Sequence, residues 1–123
     1  MGAKSFGSVF KDCRVSTGLT LRAFCNRHKL DPGNLSKLER GILPPPESDS
    51  KIEEYAAMLG LKRGSSAWYE FFDLAAAERG RIPADLLSDD EVLGKLPVLF
   101  RTLRGAKISD RHLDQLIERI RRA

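Results

Sequence analysis

Two helix starts stand eleven residues apart, at Thr20 and at Asp31-Pro32, and this spacing leaves room for only a short helix and a tight turn between them. Thr20 supplies an N-cap hydroxyl to Leu21-Arg22-Ala23-Phe24-Cys25, a helix expected to run to about His28. The Asp31 carboxylate accepts backbone N–H groups, and Pro32 at the first helical position forfeits no hydrogen bond. Leu35 and Leu38 give the second helix its buried side, and Gly41 closes it with a residue that tolerates positive φ. With Phe24 and Leu30, these leucines are packing residues that fix the angle between the two helices.

The flanking sequence predicts more helix and no strand. Phe6, Val9, Phe10 and Cys13 fall at i, i+3, i+4 and i+7, the stripe of a helix with one buried face that ends near Gly18. Leu43-Pro44-Pro45-Pro46 cannot continue a helix and forms an extended spacer. A fourth helix starts after Ser48 or Asp49, buries Ile52, Tyr55, Ala56 and Leu59, and stops at Gly60. A fifth runs from about Ser66 to Arg79 with Trp68, Phe71, Phe72, Leu74 and Ala75, and ends at Gly80. No segment alternates as a half-buried strand does, so an all-α fold of five helices over residues 1–80 is expected, followed by a helical C-terminal extension over 81–123. In that extension Ser88-Asp89-Asp90-Glu91 reads as a capping box, and Pro97 interrupts or restarts the helix that follows. A last helix begins at Ser109 with Leu113, Leu116, Ile117 and Ile120 on one face. An amphipathic helix at a chain end either packs on its own domain or forms a dimer interface, and the dimer is the expected outcome.

A chain of 123 residues with 41% hydrophobic content suffices for one modest core. The net charge of +4 is unevenly spread: residues 1–46 carry eight Lys and Arg against three acids, while residues 47–80 carry four against seven. The basic excess therefore lies on the segment with the paired helices, as contact with a polyanion requires. Cys13 and Cys25 fall on inward faces and are expected to be reduced core residues. Cys25 and His28 have a C-x-x-H spacing, but a structural zinc normally takes four ligands and the only other histidine is His112, so no metal is expected. No charged leader followed by an apolar run opens the sequence, and no stretch approaches the roughly 18 apolar residues of a membrane span, so a cytoplasmic protein with no membrane contact is expected.

Two short helices joined by a tight turn form a helix-turn-helix, in which the second helix sets its N-terminal residues in the major groove while the first lies across the backbone. With Leu35 and Leu38 turned inward, Pro32, Gly33, Asn34, Ser36 and Lys37 project outward or toward the open end. Asn34 can pair with an adenine edge or accept from cytosine, and Lys37 can donate to guanine O6 or N7. Gly33, lacking a side chain, lets the backbone approach a duplex closely. Lys11, Thr20, Arg22, Ser36 and Arg40 are the candidate phosphate contacts, which position a protein without specifying sequence.

The run from Phe6 to Pro46 resembles the lambda-repressor-like, or Xre/Cro-type, family of bacterial and phage regulators. The resemblance extends over roughly the first 75 residues if the fourth and fifth helices are included. It implies that Arg14 pairs with Glu39, that Thr20 and Asp31 cap the two helices, that Gly33, Asn34 and Lys37 face bases, and that Arg40 meets phosphate. Two positions depart from the family: Leu21 replaces the Gln common at the start of the first of the paired helices, and Lys29 stands where the turn usually has Gly, which demands an altered backbone there.

The function expected is sequence-specific transcriptional regulation, as a repressor that binds an inverted repeat in double-stranded DNA as a homodimer, with no cofactor. The alternative is an antitoxin or protease-controlled regulator whose main role is to bind a partner protein, a toxin or a protease, through residues 82–123. Catalysis is not expected: the two His and two Cys are not arranged as nucleophile and base, and no phosphate-cradling Gly-rich loop occurs. Asp89, Asp90 and Glu91 are favourable charges at a helix N-terminus rather than a catalytic or metal site.

Overall fold

A computed structural model describes residues 4–106, 111, 113–115 and 117–118. They form the helices α1 (Phe6–Ser16), α2 (Leu21–His28), α3 (Pro32–Glu39), α4 (Asp49–Met58), α5 (Ser66–Glu78), α6 (Ala84–Leu87) and α7 (Asp90–Ala106), the described residues beyond α7 are helical as well, and there is no strand among the described residues. The expected last helix falls in part outside the described residues, including Ser109, Leu116 and Ile120. The chain divides into two compact units, Met1–Pro83 with α1–α5 and Ala84–Ala123 with α6 and α7.

Local chemistry starts each helix of the first unit. Thr20 Oγ1 accepts from the Ala23 amide at 3.1 Å, Asp31 Oδ2 from Asn34 at 2.8 Å, Ser48 Oγ from Lys51 at 3.1 Å and Ser65 Oγ from Trp68 at 3.2 Å. The α1 N-terminus carries a Ser5/Ser8 capping box and a cap from elsewhere in the chain, with the Phe6 amide donating to Glu78 Oε2 of α5 at 3.0 Å. Helix ends share another device. Leu30, Ile42, Leu61 and Arg81 donate their amides to the carbonyls of Cys25, Lys37, Ala56 and Ala76 at 2.8–2.9 Å, each across a residue in the left-handed region. Three of those residues are Gly41, Gly60 and Gly80, and the fourth is Lys29 at φ 57, ψ 48. This end-cap needs positive φ, which glycine adopts without cost and lysine does not.

Phe10 is the hub of the core, fully buried with its ring 5.9 Å from Phe24 and 5.3 Å from Tyr55, both edge-on, and 6.1 Å from Phe71. Phe6 stacks at 4.6 Å on Phe71. Leu35, Leu38, Ile52, Ala56, Leu59 and Ala75 complete the layer, so α1 packs on α3 and α5, α2 on α3, and α4 on α5. Gly7 sets the α1–α3 distance, since a Cβ there would lie 2.2 Å from the Leu38 carbonyl oxygen and 2.9 Å from that of Glu39.

In the second unit the cap of α7 is Asp89 rather than Ser88. Its carboxylate accepts from the amides of Glu91 and Val92, while the Ser88 hydroxyl bonds back to Asp85 O at 2.8 Å. Pro97 does not interrupt the helix, which runs through it to Ala106. The residue four positions back, Leu93, is exposed, so water can take the place of the lost ladder bond.

Candidate nucleic-acid interface

The site is the outer side of α3 with the N-terminal turn of α2. Leu35 and Leu38 are buried, whereas Pro32, Gly33, Asn34 and Lys37 are exposed and Ser36 is half-buried. Gly33, Asn34 and Lys37, the candidate base readers, thus share the open side of one helix. Asn34 follows the Asp31 cap, which takes only its backbone amide and leaves the side-chain amide free to bond outward.

The candidate phosphate contacts are more dispersed. Lys11 and Arg22 are exposed on α1 and α2, and Thr20 keeps its hydroxyl proton while its oxygen caps α2. Arg40, at the C-cap of α3, bends back so that Nε donates to the Ser36 carbonyl at 3.3 Å. This leaves its terminal nitrogens as the groups available to an anion.

The frame behind this face is cross-linked by buried polar contacts. Arg14 donates Nε to Glu39 Oε2 at 2.7 Å and a second nitrogen to Oε1 at 3.0 Å, a two-pronged pair whose side chains are 9% and 6% exposed, and a third bond reaches the Leu19 carbonyl at 3.0 Å. Hydrogen bonding to Glu39 raises the Arg14 pKa further above its already high value. The pair ties α1, the α1–α2 turn and the end of α3 together. Leu21 packs against the core, which accounts for an apolar residue at the start of α2. The proline spacer is held too: Arg79 Nε donates to the buried Pro45 carbonyl at 2.7 Å, and Arg81 donates to Glu47 O at 3.0 Å.

A cleft of about 300 Å³ lies beside the first turn of α3, bordered by Lys29, Asp31, Asn34, Pro44, Tyr55 and Arg79. Burial pushes both the Cys13 and the Cys25 thiol up from the ordinary pKa of a cysteine. Among the described residues no group of three or more His, Cys, Asp or Glu is placed to hold a metal ion, and no helix is long and apolar enough to cross a membrane.

Three contacts that shape the site carry weak sequence signals. A glycine at the second position of a helix hints at close approach, but nothing local names α3 as its neighbour. Glu78 and Arg79 end a helix as ordinary charged residues do, and only the fold brings them to Phe6 and Pro45. Comparison with protein families, curated proteins and solved structures gives no match to this chain.

Proposed function

We propose that the chain is a sequence-specific DNA-binding transcriptional regulator of the lambda-repressor-like type, a repressor that recognises an inverted repeat as a homodimer. The observation that carries this is the exposed side of α3, where Gly33, Asn34 and Lys37 stand clear of a helix whose other side is locked into the core by Leu35 and Leu38. A side chain that reads a base edge must be free of intramolecular partners yet mounted on a backbone that does not yield. The basic excess of residues 1–46 supports the same reading, because phosphate neutralisation supplies much of the affinity for DNA.

Selection of bound duplexes from a random pool tests it. The expected product is a palindromic motif with half-site centres about 10 bp apart. Lys37→Ala then relaxes preference at one or two positions, a loss of about 1–3 kcal/mol of discrimination. Arg40→Ala weakens all sequences alike and flattens the salt dependence. A pool that stays random after selection refutes the proposal.

A further inference from the structure

Among the described residues Lys29 is the one non-glycine with positive φ, in a turn whose counterparts after α3, α4 and α5 are all glycine. Backbone strain of this kind clusters at ligand sites, where a side chain has a task beyond the packing of its own fold. The Lys29 side chain is exposed, and among the described residues no carboxylate pairs with its ammonium. What it borders is the cleft of about 300 Å³ beside the first turn of α3, a volume at the lower end of small-ligand sites.

The lining of that cleft is apolar with a few charges. Leu30, Leu35, Leu38, Leu43, Pro44 and Tyr55 supply the apolar part, and the Tyr55 ring is fixed edge-on against Phe10 at 5.3 Å. Lys29, Arg79 and Asp31 supply the charge, two cations against one carboxylate, and Asp31 already serves the Asn34 amide as the α3 cap. Arg79 is held in place by Pro45 O at 2.7 Å and Glu47 at 3.3 Å, bonds that use two of the five donors of a guanidinium. The match for one surplus positive charge over an apolar lining is a small monoanion with an apolar body. A doubly charged phosphate would meet Asp31 and Glu47 with no further cation to offset them.

We propose that this cleft binds a small aromatic carboxylate, with the carboxylate beside Lys29 and Arg79 and the ring on Leu35, Leu43 and Tyr55. Asn34 borders the same cleft. A bound carboxylate sets a negative charge and a competing acceptor next to a side chain proposed to read a base, so ligand and DNA weaken each other's binding by one common factor. That coupling rests on the DNA-reading proposal, whereas ligand binding itself is measured without DNA.

NMR titration of the full chain with phenylacetate tests it, with phenylacetamide as the neutral isostere and acetate as the charge without the ring. Phenylacetate is expected to saturate with a Kd on the order of 1 mM, in keeping with its roughly ten non-hydrogen atoms. The shifts should centre on Lys29, Asn34, Leu43 and Tyr55, and both controls should bind at least about tenfold more weakly. Lys29→Gly is expected to weaken phenylacetate about tenfold while raising the urea midpoint, and Lys29→Arg to retain the affinity. No saturable shift at about 20 mM phenylacetate, well above the expected Kd, overturns the proposal. Equal binding of phenylacetamide overturns the anionic class, and unaltered affinity in Lys29→Gly removes the lysine from the site. With the duplex selected from the random pool, about 10 mM phenylacetate should weaken DNA binding up to about tenfold relative to the same concentration of acetate, which matches the ionic strength. No difference between the two salts overturns the coupling. A pool that stays random refutes the DNA-reading proposal and the coupling with it, while the titration decides the cleft alone.

Discussion

Substituting Gly7 by Ala adds a methyl group where two helices touch through backbone. The new Cβ would stand 2.2 Å from Leu38 O and 2.9 Å from Glu39 O, both carbonyls in the last turn of α3. Carbon–oxygen contacts settle near about 3.3 Å, so α1 and α3 must part by roughly 1 Å. A gap of that size forfeits a quarter to half of the dispersion energy of each facing pair, here Phe6 and Phe10 against Leu35 and Leu38, and it stretches the Arg14–Glu39 pair. Overpacking of this kind costs about 1–3 kcal/mol, and weakening the buried ion pair adds to it. Against this, Ala is the better helix former by about 1 kcal/mol. The balance expected is a net loss of about 2 kcal/mol, or about 10 °C in the Tm of a unit this size. Urea unfolding followed by far-UV circular dichroism and Trp68 fluorescence measures it. Gly94→Ala on α7, where nothing lies within 4 Å, is the matched control and should be neutral or stabilising. If Gly7→Ala proves as stable as the wild type, the close approach does not set the α1–α3 distance.

Lys29→Gly relieves the left-handed lysine at the α2–α3 turn and should stabilise by about 0.5–1 kcal/mol in urea, since Gly41, Gly60 and Gly80 already occupy the equivalent caps; a loss of stability would mean that the lysine side chain contributes more than the strain. Glu39→Ala leaves the Arg14 guanidinium buried without its partner and should cost about 3–5 kcal/mol, whereas Arg14→Met/Glu39→Leu should recover most of it, and a double variant no more stable than the single would refute the account. Burial raises the Cys25 thiol pKa, so the folded state favours the protonated form; that stability is complete below the unfolded value near about 8.5 and is lost as pH rises through the folded value. Melting profiles across this range should therefore fall more steeply for the wild type than for Cys25→Ala, and superimposable slopes would count against it.

The parts of the site that were legible in the sequence are those whose chemistry is local. A cap joins a side chain to an amide three residues on, so Thr20, Asp31 and Ser48 announce their helices wherever the chain goes. Ser88 and Asp89 show the limit of this, because two capping residues stand side by side and the ladder engages the second. Lys29 was legible in a different way: the turn calls for positive φ, and the backbone accepts it on a lysine. The Glu78 cap on Phe6 and the Arg79 strap on Pro45 span 72 and 34 residues, and no local pattern encodes a contact at that separation.

By itself, therefore, the sequence determined where the helices of the first unit start and stop, which sides of them are apolar, and that α3 offers Gly33, Asn34 and Lys37 on its polar side. These follow from periodicity and capping, which act within one or two turns. The tertiary structure decided how firmly that side is held. The α1–α3 distance rests on Gly7 meeting the Leu38 carbonyl, the end of α3 is clamped by Arg14, and the proline spacer is strapped by Arg79. Each depends on which distant segment packing brings alongside, and that is a property of the whole core rather than of any stretch of chain.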